Sequence, residues 1–295
     1  MLRSLSSSRT AAVIALIAVT AIWGSTFLVV KNAVARAPVM DFLAVRFAIA
    51  AAVMLALRPG CLKALDRRSL LHGVLLGAAL GGGYVTQTYG LLTASPSVSA
   101  FITGTFVVLT PVLSWLVLRK RINRNAWLGV ALAFAGVALL GLQGWSVGTG
   151  ELLTLACAVF FALQVVGLGE WATRERAYAL AFIQVATVAV IALAIGAPGG
   201  YQLPAETAVW GAIAITAVLA TALAEIIQTW AQSVLAPTHA AVVMTMEPVF
   251  AGLFGVAFGG DRLTTRMVGG AVCVLAAMLL VQVGERARRP GKAAG

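Results

Sequence analysis

Two stretches of this sequence carry polar side chains at helical spacing among apolar neighbours. The positions i, i+3, i+4 and i+7 share one side of a helix. They hold Tyr84, Gln87 and Thr88 in the first stretch, and Glu225, Gln228, Thr229 and Gln232 in the second. Amide and hydroxyl groups can hydrogen-bond to a polar solute, and a carboxyl group can receive an ammonium group or a proton. The two stripes therefore predict a binding site for a small polar molecule.

The composition places both stripes in a membrane protein. Hydrophobic residues make up 61% of the 295 residues and charged residues only 11%, against roughly 25% charged in a soluble domain. A spanning helix needs about 20 predominantly apolar residues, and charge clusters and turns divide the chain into ten such segments. They cover residues 11–33, 40–57, 70–92, 97–118, 125–142, 151–169, 178–196, 207–232, 237–258 and 266–283. The sequence therefore predicts an all-α membrane protein with ten transmembrane helices.

The distribution of Lys and Arg predicts which side of the membrane each loop faces. Cytoplasmic loops carry the excess of these residues. With the N-terminus inside, 16 of the 21 Lys and Arg residues fall on the cytoplasmic side. Those on the outer side or its flanks are Lys31, Arg36, Arg46, Arg262 and Arg266. Both termini are therefore predicted to be cytoplasmic, and the net charge of +11 is explained by an anionic membrane surface rather than by nucleic acid.

The two polar stripes belong to two related halves of the chain. Gln87 and Gln228 lie 141 residues apart, as do Pro96 and Pro237. Five helices per half is an odd number, so the second half must enter the membrane from the opposite side. The sequence therefore predicts two inverted repeats, over residues 1–145 and 146–295, an arrangement common in secondary transporters.

Two carboxyl groups lie well inside predicted helices, at Glu225 and Glu247. A charge at the centre of a bilayer costs about 2.5–3.5 kcal/mol, so such residues usually face protein or water. Glu225 fits either a proton-coupling or ammonium-binding carboxylate, or a protonated acid that is bonded to a neighbouring helix. For Glu247, beside Pro248, we expect the structural role.

Glycine and proline positions predict how the helices pack and bend. Gly73, Gly77 and Gly81 recur every fourth residue, which favours close packing of helix backbones within the chain. Pro111 and Pro248 fall inside predicted helices, where proline kinks a helix and frees a carbonyl group.

No pattern supports an enzyme or a metal site. Cys61, Cys157 and Cys273 lie far apart without a CxxC pair, which indicates neither a disulfide framework nor a zinc site. The ten acidic residues are scattered, so they form no acidic pair for a metal and a diphosphate. No Gly-rich loop precedes a Lys that would hold ATP. We therefore expect no cofactor and no enzymatic activity.

Several motifs resemble those of a known family. They are Trp23-Gly24-Ser25-Thr26-Phe27, Arg46-Phe47, Trp127-Leu128-Gly129, Ala135-Gly136-Val137, and Glu247-Pro248-Val249-Phe250 followed by Asp261-Arg262-Leu263. Their order and spacing are similar to those of EamA-type members of the drug/metabolite transporter superfamily, over practically the whole chain. The run Gln228-Thr229-Trp230-Ala231-Gln232 looks most like that of YddG-like exporters of aromatic amino acids. The resemblance implies an inner-membrane carrier with a central cavity between two inverted five-helix EamA repeats.

The resemblance and the stripes together predict export of aromatic and neutral amino acids by alternating access, either facilitated or proton-coupled. The expected contacts are hydrogen bonds from Gln87, Thr88, Gln228 and Gln232, stacking or apolar surface from Trp23, Tyr84 and Trp230, and ammonium contact or proton coupling at Glu225. The expected partners are a small-molecule substrate and membrane lipid, without nucleic acid, and the chain is expected to be a monomer.

Other functions remain as alternatives. The chain could export other small metabolites or drugs, or carry a nucleotide sugar or an organophosphate. Dianionic substrates require Lys or Arg deep in the cavity, and predicted helices 3, 4, 8 and 9 contain none before their ends. A non-transporting membrane enzyme or sensor would need catalytic or signalling residues that the sequence does not show.

The predicted orientation can be tested with reporter fusions. A fluorescent protein that folds only in the cytoplasm should be fluorescent when it is fused after Gly295 or in the loop near Lys63. A periplasmic phosphatase should be active when it is inserted near Gly200, in the loop between predicted helices 7 and 8. Phosphatase activity at Gly295 would contradict the orientation that the charge distribution predicts.

Overall fold

The computed structural model describes residues 2–64, 66–119, 124–143, 146–235, 240 and 243–287. Most of these residues form α-helices. They are α1 (Leu2–Val34), α2 (Val39–Leu57), α3 (Arg67–Gly90), α4 (Pro96–Gly104), α5 (Phe106–Leu118), α6 (Arg124–Gly141), α7 (Thr149–Trp171), α8 (Ala177–Gly196), α9 (Thr207–Ala217), α10 (Ala224–Val234), α11 (Met246–Phe258) and α12 (Thr265–Ala287). The described residues also include 3-10 turns at Pro59–Ala64 and Ala197–Gly199, a π-helical segment at Val218–Leu223, and a hairpin that pairs β1 (Leu142–Gln143) with β2 (Ser146–Val147).

The helices confirm the predicted all-helical membrane architecture. Within the described ranges, seven helical segments are long and apolar enough to cross a bilayer, and three further apolar helices are shorter. Most predicted segments coincide with these helices to within a few residues, but α1 begins at Leu2 rather than at residue 11, and α11 begins at Met246 rather than at residue 237. Pro237 and His239, at the start of the ninth predicted helix, lie outside the described residues.

Two of the predicted helices are interrupted near their prolines. The chain turns at Thr105, between α4 and α5, and at Thr245, just before α11. Pro111 and Pro248 follow these turns by six and three residues. A proline within a helix removes the hydrogen bond to the carbonyl group four residues earlier. The break at Thr245 therefore lies about one turn before Pro248, whereas the break at Thr105 lies nearly two turns before Pro111.

Helices from the two halves of the chain, residues 1–145 and 146–295, pack against each other throughout the bundle. The most extensive contacts join α6 to α12, α3 to α7 and α8, α2 to α8, and α1 and α4 to α11. Each of these pairs takes one helix from each half. The main buried clusters likewise contain residues of both halves, so the two predicted repeats share their hydrophobic core.

Glycines allow several of these helix pairs to approach closely. A Cβ atom at Gly77 of α3 would lie 2.6 Å from Cβ of Thr187 in α8. Gly136 of α6 and Gly270 of α12 face each other, and a Cβ atom at either would lie 2.9 Å from the carbonyl oxygen of the other. Helix association in lipid depends on such packing, because lipid provides no hydrophobic drive. The predicted packing role of the Gly73–Gly81 stripe is therefore confirmed.

Two clusters of buried apolar side chains meet near the middle of the bundle. The first joins Phe42 of α2 to Val188 of α8, and the second joins Ile102 of α4 to Met278 of α12. Phe161 of α7 packs against both clusters. The candidate functional site lies beside Phe161, where the two clusters meet.

One end of the bundle is stabilised by a polar cluster at the start of α3. Asp66 caps α3, because its Oδ1 accepts a hydrogen bond from the Ser69 N–H at 2.7 Å. Arg176, before α8, donates to Asp66 Oδ2 at 3.2 Å and to Ser69 Oγ at 2.6 Å. The hydrogen bonds from Ser69, together with Arg176, lower the pKa of Asp66 to about 2. This stabilisation is complete above the ordinary pKa of 3.8 and is lost as the pH falls to about 2.

The close approach at Gly77 can be tested by adding one methyl group. Gly77→Ala should lower the midpoint of thermal unfolding in detergent, because overpacking costs about 1–3 kcal/mol. Gly169→Ala is the matched control, since no neighbouring heavy atom lies within 4 Å of its added Cβ. The control should be neutral or slightly stabilising, as alanine favours helix over glycine. Equal midpoints for both variants would contradict the packing described for α3 and α8.

Candidate functional site

A cavity of about 580 Å³, part of which is open to solvent, lies between the two halves of the chain. We call it the inter-half cavity. Its walls come from α1, α2, α3 and α5 in the first half and from α7, α10 and α11 in the second. Both predicted polar stripes therefore contribute to one space, as the resemblance between the halves suggested.

Polar side chains line the inter-half cavity from both halves. They are Thr26, Arg46, Gln87, Gln164, Glu225, Gln228 and Glu247. The set contains one guanidinium group, two carboxyl groups and three amides. In an apolar bundle such groups need partners within the protein or in a cavity. The lining can therefore hold a small solute that carries both charged and neutral polar groups.

Aromatic side chains form much of the remaining wall. They are Trp23, Phe27, Tyr84, Phe106 and Phe161. The Tyr84 ring makes edge-to-face contacts with Phe47 at 4.9 Å and with Phe161 at 5.4 Å between ring centroids. These contacts fix the orientation of Tyr84, because edge-to-face pairs are favoured by the quadrupoles of the rings. The wall offers a rigid surface against which an apolar or aromatic group can pack.

The π-helical segment between α9 and α10 holds two cavity residues in place. The indole Nε1 of Trp23 donates a hydrogen bond to the Ala220 carbonyl at 2.9 Å. Arg46 Nε donates to Thr221 Oγ1 at 2.9 Å. Ala220 and Thr221 both lie in the segment Val218–Leu223. Single π-helical turns within helices often occur at functional sites, and this one connects α1 and α2 to the second half.

Arg46 is a buried cation in the cavity wall. Its side chain and backbone together are only 2% exposed. Its guanidinium carbon lies 4.9 Å from the centroid of the Tyr84 ring and 5.2 Å from that of Phe47. Cations near aromatic faces are attracted by the ring quadrupole, more strongly when both are removed from water. The rings and Thr221 thus position the guanidinium without neutralising its charge.

Glu225 presents a carboxyl oxygen that has no partner in the described part of the protein. The residue is 1% exposed, and its Oε2 is buried without a hydrogen bond. Gln228, one turn further along α10, also lines the cavity. Glu247 of α11 adds a second buried carboxyl group to the lining. A buried polar oxygen without a protein partner is costly, so Glu225 is positioned to accept hydrogen bonds from a solute in the cavity.

The side-chain amides of the cavity residues Gln164 and Gln87 both have hydrogen-bond partners within the protein. Gln164 Nε2 donates to Gln184 Oε1 at 2.9 Å, and Gln184 Nε2 donates to the Leu180 carbonyl at 3.2 Å. Gln87 Nε2 lies 3.4 Å from Thr103 Oγ1, which is a long hydrogen bond. Gln164 therefore has a fixed position, whereas Gln87 is held more weakly and is better able to turn toward a solute.

Polar contacts join helices next to Leu91, which lines the cavity. Lys31 Nζ donates hydrogen bonds to the carbonyl groups of Leu91 at 3.0 Å and Ala94 at 2.6 Å. These bonds tie the end of α1 to the turn after α3. Asp261 Oδ2 accepts a hydrogen bond from the Ser97 N–H at 3.0 Å. This second contact joins the two halves at the same end of the bundle.

The structure brings five of the eight sequence-predicted site residues into the cavity wall. They are Trp23, Tyr84, Gln87, Glu225 and Gln228. Their common location is notable because they come from α1, α3 and α10, which are far apart in the sequence. Their role in binding a substrate stays a prediction.

The other three predicted residues do not line this cavity. The Thr88 hydroxyl donates to the Tyr84 carbonyl at 2.6 Å, within its own helix. Trp230 packs against the second apolar cluster. Gln232 Nε2 points toward Met244 Sδ at 3.9 Å. Thr88 and Gln232 belong to stripes that are wider than the part of each helix facing the cavity, so their side chains find partners elsewhere in the protein.

Sequence reasoning missed Arg46 and Gln164 as cavity residues and assigned Glu247 to a structural role. The position of Arg46 in α2 was a usable signal, because a cation inside a spanning helix usually faces a cavity or a partner. Considering only predicted helices 3, 4, 8 and 9 led us to expect no cation in the cavity. Gln164 gave no such signal, because a single glutamine in an apolar helix can face any neighbour.

The described residues contain no group of three His, Cys, Asp or Glu side chains that could hold a metal ion. Among the described cysteines, Cys61 and Cys157 are buried and Cys273 is half-buried, and all three are free thiols. The chemistry that the cavity offers is therefore hydrogen bonding, charge pairing and aromatic contact.

Comparison with known proteins agrees with this architecture. The EamA-like transporter family matches the chain twice, over residues 10–142 and 148–283. The chain is 35% identical over 266 residues to an uncharacterized transporter of Archaeoglobus fulgidus, which covers 90% of this chain and 83% of that protein. It is 27% identical over 281 residues to the uncharacterized inner membrane transporter YedA of Escherichia coli, covering 92% and 90%.

A solved crystal structure shows the same fold. It is 18% identical in sequence, covers 95% of this chain and 99% of its own, and superposes with a TM-score of 0.66. The two family matches together extend over nearly all of the present sequence. This multi-pass membrane protein therefore belongs to the EamA-like transporter family.

Proposed function

We propose that this chain exports aromatic and neutral amino acids across the bacterial inner membrane by alternating access. The observation that carries the proposal is the inter-half cavity, whose lining combines aromatic side chains with Glu225, and the Oε2 atom of Glu225 has no hydrogen-bond partner among the described residues. Membership of a transporter family supports movement of a small molecule through this cavity. The chemistry of the lining is our reason for choosing amino acids.

An aromatic amino acid matches the cavity lining group by group. Its ammonium group can donate to the Glu225 carboxyl and to the amide oxygen of Gln228. Its ring can pack against Trp23, Tyr84 or Phe161, where offset or edge-to-face contacts are favoured. Neutral amino acids with smaller side chains would use the same polar contacts with less apolar burial, and should bind more weakly.

The balance of charges disfavours dianionic substrates. The cavity lining holds the two carboxyl groups of Glu225 and Glu247 but the single cation of Arg46. Phosphate groups are usually bound by several Lys or Arg residues or by backbone N–H groups. A nucleotide sugar or an organophosphate would therefore place excess negative charge beside two buried carboxyl groups. This arrangement favours a substrate without net negative charge.

Alternating access is supported by where the cavity lies and by the polar contacts beside one of its lining residues, Leu91. Ten helices in two inverted five-helix repeats, with both termini cytoplasmic, would place Lys31, Leu91 and Asp261 at the outer end. In secondary transporters the substrate site lies at the interface of such repeats, which rock about it. Release to the outside would then require the Lys31 and Asp261 contacts to open. The breaks at Thr105 and Thr245 supply points where α5 and α11 can change angle.

Flux measurements test the proposal directly. Purified protein in proteoliposomes should show saturable flux of labelled tryptophan and phenylalanine, and weaker flux of threonine. A dependence on an imposed pH gradient would indicate proton coupling, and flux without this dependence would indicate a facilitator. No flux of any of the three amino acids would contradict the proposed substrate class.

Two cavity variants should weaken transport. Gln228→Ala and Glu225→Gln should each raise the substrate KM by about tenfold to a hundredfold, because a hydrogen bond to a charged group contributes about 1.5–3 kcal/mol. The controls are Gln202→Ala and Glu206→Gln, both in the exposed connection between α8 and α9. Normal transport by both cavity variants at normal expression would show that the site is elsewhere.

A further inference from the structure

We infer that Arg46 binds the carboxylate group of the substrate, opposite the carboxyl group of Glu225. This inference rests on the proposed function and adds a second point of attachment to it. It also names a specificity rule, because the substrate must then carry a free carboxylate as well as an ammonium group.

The guanidinium of Arg46 is held in a way that leaves its outer edge for a ligand. Of its five N–H donors, the one on Nε bonds to Thr221, and the side chain also hydrogen-bonds to Tyr84, which leaves N–H donors of the Nη groups for a ligand. The contacts with the Tyr84 and Phe47 rings, at 4.9 Å and 5.2 Å from the ring centroids, restrict its movement further. The two Nη groups form the fork that pairs with a carboxylate through two parallel hydrogen bonds.

Arg46 has no ion-pair partner in the described part of the chain. The ion pairs found there join Arg36 to Glu206 and Arg176 to Asp66, and all four of these residues are much more exposed. Arg46 itself is 2% exposed. A buried cation without an anion is costly, and its position in the cavity wall allows a substrate anion to supply the missing charge.

Arg46 and Glu225 are placed on the cavity wall as two separate charges. They are close enough to interact electrostatically, yet they form no salt bridge within 4.0 Å. Both line the same cavity, Arg46 from α2 in the first half and Glu225 from α10 in the second. An α-amino acid carries its carboxylate and ammonium on one carbon, so it can contact both residues from the space between them. The zwitterion would therefore bridge the two halves of the protein.

Carboxylate binding by Arg46 can be distinguished from a purely structural role with two analogues of tryptophan, each of which lacks one of its two charged groups. Equilibrium binding to the purified protein would be measured for tryptophan, for tryptamine, which lacks the carboxylate, and for indole-3-propionate, which lacks the ammonium. The wild-type protein should bind tryptophan at least about tenfold more tightly than either analogue. Arg46→Gln should reduce the preference for tryptophan over tryptamine to nearly equal affinity, mainly by weakening tryptophan binding.

Two further variants keep the test decisive. Arg46→Lys retains the buried charge but loses the planar fork, so it should lower the same preference by a smaller factor. Arg58→Gln, at the exposed end of the same helix, should leave the preference unchanged. Glu225→Gln should instead reduce the preference for tryptophan over indole-3-propionate.

The possible results distinguish this inference from the proposed function. A wild-type protein that binds none of the three ligands would contradict both. Wild-type binding of tryptophan and tryptamine with equal affinity would contradict only the role of Arg46. The role of Arg46 would also be contradicted if the folded Arg46 variants kept the wild-type preference for tryptophan over tryptamine. An equal loss of tryptophan and tryptamine binding would contradict it too, because a purely structural residue would have that effect.

Discussion

The hydrogen bonds from Trp23 and Arg46 to the π-helical segment determine the shape of the candidate site. They join α1 and α2 of the first half to Ala220 and Thr221 of the second. Within a bilayer, polar groups must find partners inside the protein or in a cavity. The π-helical segment supplies partners for two large polar side chains and leaves Glu225 Oε2 without one. The cavity lies where a polar side chain, Glu225, has a carboxyl oxygen without a hydrogen-bond partner among the described residues.

The packing of the halves explains why the site lies between them. The extensive helix pairs each combine one helix from either half, and glycines such as Gly77 and Gly136 bring their backbones close together. A bundle built in this way has no separate domains to hold a ligand. Binding and movement must therefore use the same inter-half contacts. Movement of the halves would have to break the hydrogen bonds of Lys31 and Asp261, which are polar contacts at one end of the bundle.

Much of this architecture could be predicted from the sequence, because apolar length and charge clusters specify where helices begin and end. Four residues that line the cavity, Tyr84, Gln87, Glu225 and Gln228, could also be predicted, since polar stripes stand out in apolar helices. Arg46 was missed although its position inside α2 was a usable signal, because only predicted helices 3, 4, 8 and 9 were considered for cations in the cavity. The π-helical segment Val218–Leu223 contains only apolar residues and one threonine, so no pattern marked it. Thr88 and Gln232 were placed in the site because periodicity alone does not show how much of a stripe neighbouring helices cover.

Substrate protection of a single cysteine tests the central claim, that the substrate occupies the inter-half cavity. Val30→Cys lies in the cavity wall, and Gly199→Cys lies in the exposed connection after α8. Each would be studied with Cys61, Cys157 and Cys273 replaced by alanine, using a water-soluble thiol reagent. The account predicts that saturating tryptophan slows modification of Val30→Cys several-fold and leaves Gly199→Cys unchanged. An unchanged rate at Val30→Cys, in a protein that still transports tryptophan, would contradict the account.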